Sequence, residues 1–217
     1  MSNYAAWAPI AMLAALLAAL PARAQQEAAA ALLPVPQDEY YDRDPAAVMP
    51  QIIGADDRKA RRNLEMILDY DPRNVEARVT HAFHLLERGM NRHAEQEFGL
   101  AINMARRGSV QERHAYWAHG WGLFRTGEYR RALERWRQAE VLHGGRPDWV
   151  PWTYALSLWM AGDRELAVDF WRAAVRSDAE RWGSSKGLAR EIQDWSPNQR
   201  LAAEALHAEW KRRLTGS

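Results

Sequence analysis

Two histidines, His81 and His84, stand three residues apart, a spacing with which one helix face can offer two imidazoles to a divalent metal. His114 and His119 follow in the next helical stretch. A hydrolytic zinc site of this kind needs a general base, and no His-Glu-x-x-His run accompanies the pair. His81 falls at a packing position of its helix, where a buried, satisfied histidine is the ordinary occupant. The 217-residue chain has no Cys, which removes thiolate metal ligands, a cysteine nucleophile and disulfides together. Ser184-Ser185-Lys186 sets hydroxyls near an amine, but a lone Ser beside Lys is little evidence of a catalytic dyad. The sequence holds no glycine-rich phosphate loop and no nucleophile elbow. It therefore predicts no catalytic residue, no metal and no cofactor. What remains is aromatic: ten of the eleven tryptophans lie between residues 117 and 210. Indoles contribute large apolar area and stacking, which is the chemistry of recognition or of a core.

Helices must position these side chains. Apolar periodicity predicts them over 59–70, 75–88, 92–106, 111–125, 129–142, 149–160, 165–177, 186–193 and 198–214. The links are short, as at Gly89-Met90-Asn91, Thr126-Gly127-Glu128 and Ala161-Gly162-Asp163, so neighbouring helices should run antiparallel. Three stretches share the pattern Gly-x4-Ala-x3-aromatic-x2-Ala: Gly89…Ala94…Phe98…Ala101, Gly127…Ala132…Trp136…Ala139 and Gly162…Ala167…Trp171…Ala174. The glycines are 38 and 35 residues apart, the length of one helix pair. Ala, aromatic and Ala at i, i+4 and i+7 form one stripe, predicted to be the packing face of each second helix. The first helices differ, being apolar on two sides. In 111–125, Tyr116, Gly120 and Leu123 make one stripe, and Trp117, Trp121 and Phe124 another.

The order of these residues resembles the tetratricopeptide repeat family. One repeat reads Tyr116, Gly120, Leu123, Gly127, Ala132, Trp136, Ala139; another Ala155, Leu158, Gly162, Ala167, Trp171, Ala174; a third Ala82, Leu85, Gly89, Ala94, Phe98, Ala101. A half-repeat is suggested by Ala60, Leu64, Ile67 and Pro72, and a degenerate last one by Ala189, Ala202 and Leu206. The family's closing proline is replaced by Arg106, Gly144 and Ala179, and its early aromatic by Arg78 and Pro151. The resemblance covers residues 57–214, with repeats near 75–108, 113–146 and 148–181. It implies an all-α, right-handed superhelical solenoid of stacked antiparallel helix pairs that works as a protein-interaction module or scaffold.

The resemblance also implies a concave groove lined by Trp117, Trp121, Phe124, Trp149, Trp152 and Trp159. An open apolar patch beyond about 600 Å² is uncommon on a monomer, so something should cover these six. The cover is either the chain's own helices 186–193 and 198–214, or a peptide or helix of another protein. A third reading is a glycan stacked on the indoles, as in envelope polysaccharide export; an accessory subunit of an enzyme is a fourth. Residues 32–40, with Pro34 and Pro36, could dock in the groove in cis.

The ends of the chain add compartment and context. Residues 1–24 hold an apolar run, Ala5 to Leu20, followed by Pro21-Ala22-Arg23-Ala24, which reads as a signal peptide cleaved after Ala24. A periplasmic or secreted protein is expected, with an uncleaved membrane anchor as the alternative. Residues 25–56, with Pro34, Pro36, Pro45, Pro50 and several acids, read as a largely irregular linker. A short helix has room between Pro45 and Gly54. Loss of residues 1–24 removes Arg23 and no acid, leaving 28 bases and 28 acids. That balance calls for neither nucleic acid nor an anionic membrane. The expected partner is another envelope protein.

Overall fold

Each predicted helical stretch forms in the computed structural model, which describes residues 34–50, 54 and 56–215. Ten helices appear among those residues: α1 Arg58–Tyr70, α2 Val75–Glu87, α3 Asn91–Met104, α4 Val110–Arg125, α5 Tyr129–His143, α6 Val150–Ala161, α7 Arg164–Ser177, α8 Ala179–Trp182, α9 Ser185–Glu191 and α10 Pro197–Thr215. The one-turn α8 was not anticipated. No strand occurs among the described residues beyond an isolated parallel bridge, Asp42 with Pro147. The signal-like segment lies outside the described residues, and none of the described helices is long and apolar enough to cross a membrane.

Local chemistry sets the helix starts. Asn74, Ser109 and Ser184 each accept a bond from the backbone three residues on, at 2.9, 3.1 and 2.9 Å. At the turns, Gly127 and Gly162 hold φ at 85° and 93°, a region closed to most side chains. Consecutive helices then pack in pairs, α2 with α3, α4 with α5 and α6 with α7, and each pair packs on the next. α10 turns back onto α6 and α7.

The predicted stripes are the core. Ala94, Phe98, Ala101, Ala132, Trp136, Ala139, Ala167, Trp171 and Ala174 are all within 1% of full burial. The small residues admit large ones beside them: a methyl on Gly120 would overlap the Trp136 indole, and one on Gly122 would overlap the Phe98 ring. The two first helices α2 and α4 pack along each other, whereas α4 meets α6 through the indoles of Trp121 and Trp152.

Residues 34–50 are irregular, and they do not hang free as a linker. They run along the helix ends as a strap. Arg176 donates to the Asp38 carbonyl (2.9 Å), and the Tyr40 amide donates to Ser177 Oγ (2.8 Å), both at the end of α7. Tyr41 and Asp42 amides donate to the Arg146 carbonyl, and the Asp148 amide returns to the Asp42 carbonyl (2.9 Å), in the α5–α6 link. Asp44 then meets Arg113, and Ala46 meets His114, at the start of α4. No helix starts at Pro45. Asp44 accepts from the Ala46 amide through its side chain and from the Ala47 amide through its carbonyl, which closes a turn instead.

Candidate functional site

The aromatic wall predicted as a groove is present, but it faces inward. Trp117, Trp121, Phe124, Trp149 and Trp152 are between 2% and 7% exposed, and Trp159 is half-buried. α4 supplies Trp117, Trp121 and Phe124 from one side, and α6 supplies Trp152 from the other. Trp121 is the hub: its ring lies 5.1 Å from Trp136, 5.6 Å from Trp152, 5.8 Å from Phe124 and 6.0 Å from Trp195. Trp152 lies between Trp182 (5.3 Å) and Trp195 (5.5 Å). Two of these covering residues come from α8 and from the link before α10, so the chain closes its own wall. The physical reason is area: each indole can bury on the order of 200 Å², and burial of apolar surface stabilises by roughly 25 cal/mol per Å². Trp159, the least buried of the six, is covered by the Arg164 guanidinium at 3.7 Å from its ring centroid. These six residues therefore do not form an open docking groove.

The wall is short of hydrogen-bond acceptors. Trp136 donates to the Trp117 carbonyl (3.1 Å) and Trp149 to Asp44 Oδ2 (3.0 Å). The buried Nε1 atoms of Trp117, Trp121 and Trp152 meet no acceptor. Edge-to-face contacts at 66° to 71° surround Trp121.

The polar candidates have structural places. His81 Nδ1 lies 3.8 Å from a Glu97 carboxylate oxygen, and burial holds its pKa below the usual histidine value. No group of three metal-capable side chains occurs among the described residues. His119 lies flat on Phe98, 5.0 Å between centroids and 11° between planes. Burial, reinforced by Arg135 and Arg131, pushes its pKa down to about 3. Ser184 caps α9, and Ser185 Oγ is 3.1 Å from Lys211 Nζ, a contact between an exposed helix start and α10. The basic stretch of α5 is an ion-pair face: Arg131 pairs with Glu95 and Glu128, and Arg130 with Asp163. Glu140 departs from that face. It accepts from the Tyr154 hydroxyl (2.7 Å), and burial raises its pKa.

The buried His119 makes stability depend on pH. Its folded pKa lies below the unfolded value of 6.5, so the unfolded chain takes up the proton first. The contribution is whole above about pH 6.5 and is lost as pH falls toward about 3, by a few kcal/mol. Urea unfolding at pH 7 and pH 4.5 should show this loss in the native chain. In His119→Leu the acid-dependent part should be smaller by about 2 kcal/mol.

The candidate surface that sequence reasoning missed is the strap's seat. Tyr40 is buried in the helical core. The Asp44 side chain is wholly buried, with Arg113 Nε at 2.9 and 3.1 Å, the Trp149 indole at 3.0 Å and the Ala46 amide at 2.9 Å. The seat joins backbone pairing at Arg146 and Asp148 to two side-chain anchors four residues apart. Its signal in the sequence was Tyr40 and Asp44-Pro45 within an acidic run, which by local reasoning reads as solvated chain. Comparisons with protein-family models, with curated proteins and with solved structures found nothing that matches the chain.

Proposed function

We propose that this chain is a tetratricopeptide-type scaffold of the bacterial cell envelope that holds another polypeptide. In this reading α2/α3, α4/α5 and α6/α7 are three repeats of a right-handed superhelical solenoid, each closed by the same Ala-aromatic-Ala stripe. Residues 1–24 direct its export to the periplasm. The observation that carries the binding function is the strap: an extended acidic segment lies across the ends of the α4/α5 and α6/α7 pairs, fixed by backbone pairing, by Tyr40 and by Asp44. The edge that holds residues 38–46 in cis has the parts needed to hold an extended segment of a partner. The glycan reading loses its support, because stacking needs open indole faces and four of the wall's five indoles are internal.

A labelled peptide of residues 34–50 tests the proposal. Asp44→Ala weakens the chain's own strap while keeping Arg113 and Trp149 in the seat. The full-length variant should bind the peptide at least tenfold more tightly than the native chain does, and Asp44→Ala/Arg113→Met should lose that gain. If the variant strap becomes protease-sensitive and the peptide still does not bind, the edge is only an internal fastening and the proposal fails.

A further inference from the structure

α1 is poorly provided for by its own chain. It packs on α2 alone among the helix pairs in substantial contact, and only Leu64 of its 13 residues is buried. An open hollow of about 450 Å³, lined in part by Asn63, Leu64, Ile67, Ala77 and Thr80, lies between the two helices. Tyr70 is 94% exposed, Met66 66% and Ile67 46%. Apart from the N-cap Asp57, which accepts from the Ala60 amide (2.8 Å), the charges within the helix also run against it. Arg58, Lys59, Arg61 and Arg62 crowd the positive N-terminal half, no acid stands in the first turn, and no base stands in the last. Glu65, Asp69 and Asp71 follow toward the negative end.

We propose that α1 pairs antiparallel with α1 of a second copy of this chain. Lys59, Asn63, Met66 and Tyr70 are all exposed and lie on one flank of the helix. Their spacings are 4, 3 and 4 residues, the interval of a helix–helix seam. That sequence of spacings reads the same in both directions, so a twofold axis between Asn63 and Met66 lays the stripe on itself. Asn63 then faces Met66 of the second copy, and Lys59 reaches the Tyr70 ring of the second copy as a cation–π contact. The same rotation sets the basic half of one α1 against the acidic half of the other and opposes the two helix dipoles. Each mismatch that destabilises α1 alone is offset by the pairing. A two-helix contact falls below the roughly 1,200 Å² of stable interfaces, so the dimer is a weak one, with a dissociation constant of about micromolar order.

The chain's lack of cysteine allows a direct test in intact cells. Full-length Asn63→Cys/Met66→Cys should form a disulfide-linked dimer under mild oxidation, much faster than Leu201→Cys, whose exposed side chain lies on α10. Sedimentation of the purified full-length chain should show a monomer–dimer equilibrium, and Tyr70→Glu should raise its dissociation constant at least tenfold with unchanged helical content. The side chain at residue 70 is almost wholly exposed, so that substitution leaves the fold in place. A native chain that stays monomeric at 100 µM, or cysteine pairs that link no faster than Leu201→Cys, overturns the proposal. So does linkage of the cysteine pair to a different protein in place of a second copy.

Discussion

Replacing Trp121 and Trp152 together by alanine should unfold the protein. Trp121 touches Trp117, Phe124, Trp136, Trp152 and Trp195, and Trp152 touches Trp182 as well. A buried Trp→Ala change costs about 3–5 kcal/mol through lost transfer energy and the cavity left behind. The two indoles are in contact, so their costs do not simply add. Even so, the pair should remove about 5–8 kcal/mol from a domain whose whole stability is about 5–15 kcal/mol. Circular dichroism at 25 °C should show most of the helical signal gone, or a melting temperature lowered by 20 °C or more. An exposed groove would behave differently: the double variant would keep its helices and its melting point, and only a partner would be lost.

Asp44→Ala should have a large effect of another kind. Its carboxylate is buried beside Arg113 and bonded to Trp149, so truncation leaves a nearly buried guanidinium without its acid and an indole N–H without its acceptor. Breaking a buried pair from one side costs about 3–5 kcal/mol. The strap gives the structure a cheaper escape, because its detachment lets water reach Arg113. Detachment sets the ceiling on the loss. Limited proteolysis should therefore cut residues 34–50 in the variant and spare them in the native chain, with the α2–α7 helices still intact. Asp44→Asn keeps an acceptor for Trp149 and loses the charge, and should fall between the two.

These two sites mark the limits of what the sequence shows. The helices were legible because each carries its own period, and the hairpins because Gly127 and Gly162 sit where a turn needs positive φ. The Ala-aromatic-Ala stripes were legible as packing faces for the same reason: Trp136 and Trp171 are core by pattern and core in fact. Closure of the inner wall by the chain itself was one of two open readings, but the residues that close it were not legible. Two of its covering residues, Trp182 and Trp195, come from a one-turn helix and a link, where no periodicity marks a buried face. The strap was hidden for a related reason. Its partners lie 69 residues away at Arg113, 105 at Trp149 and 137 at Ser177. Prolines and acids make such a segment read as solvated when its distant partners are not in view. In the sequence Asp44 looks the same as Asp38 and Asp42, and only Arg113 and Trp149 set it apart.

Amide hydrogen exchange at Tyr41, Asp42 and Asp148 in the full-length chain tests the central claim most directly, namely that the edge of the helix pairs holds an extended polypeptide. The Tyr41 and Asp42 amides donate to the Arg146 carbonyl and the Asp148 amide to the Asp42 carbonyl. Exchange at all three should be slowed by about a hundredfold or more, equivalent to about 3 kcal/mol of local stability, and Asp44→Ala should abolish that protection while amides within α4–α7 stay protected. Exchange at the rate of unstructured chain in the native protein would contradict the account.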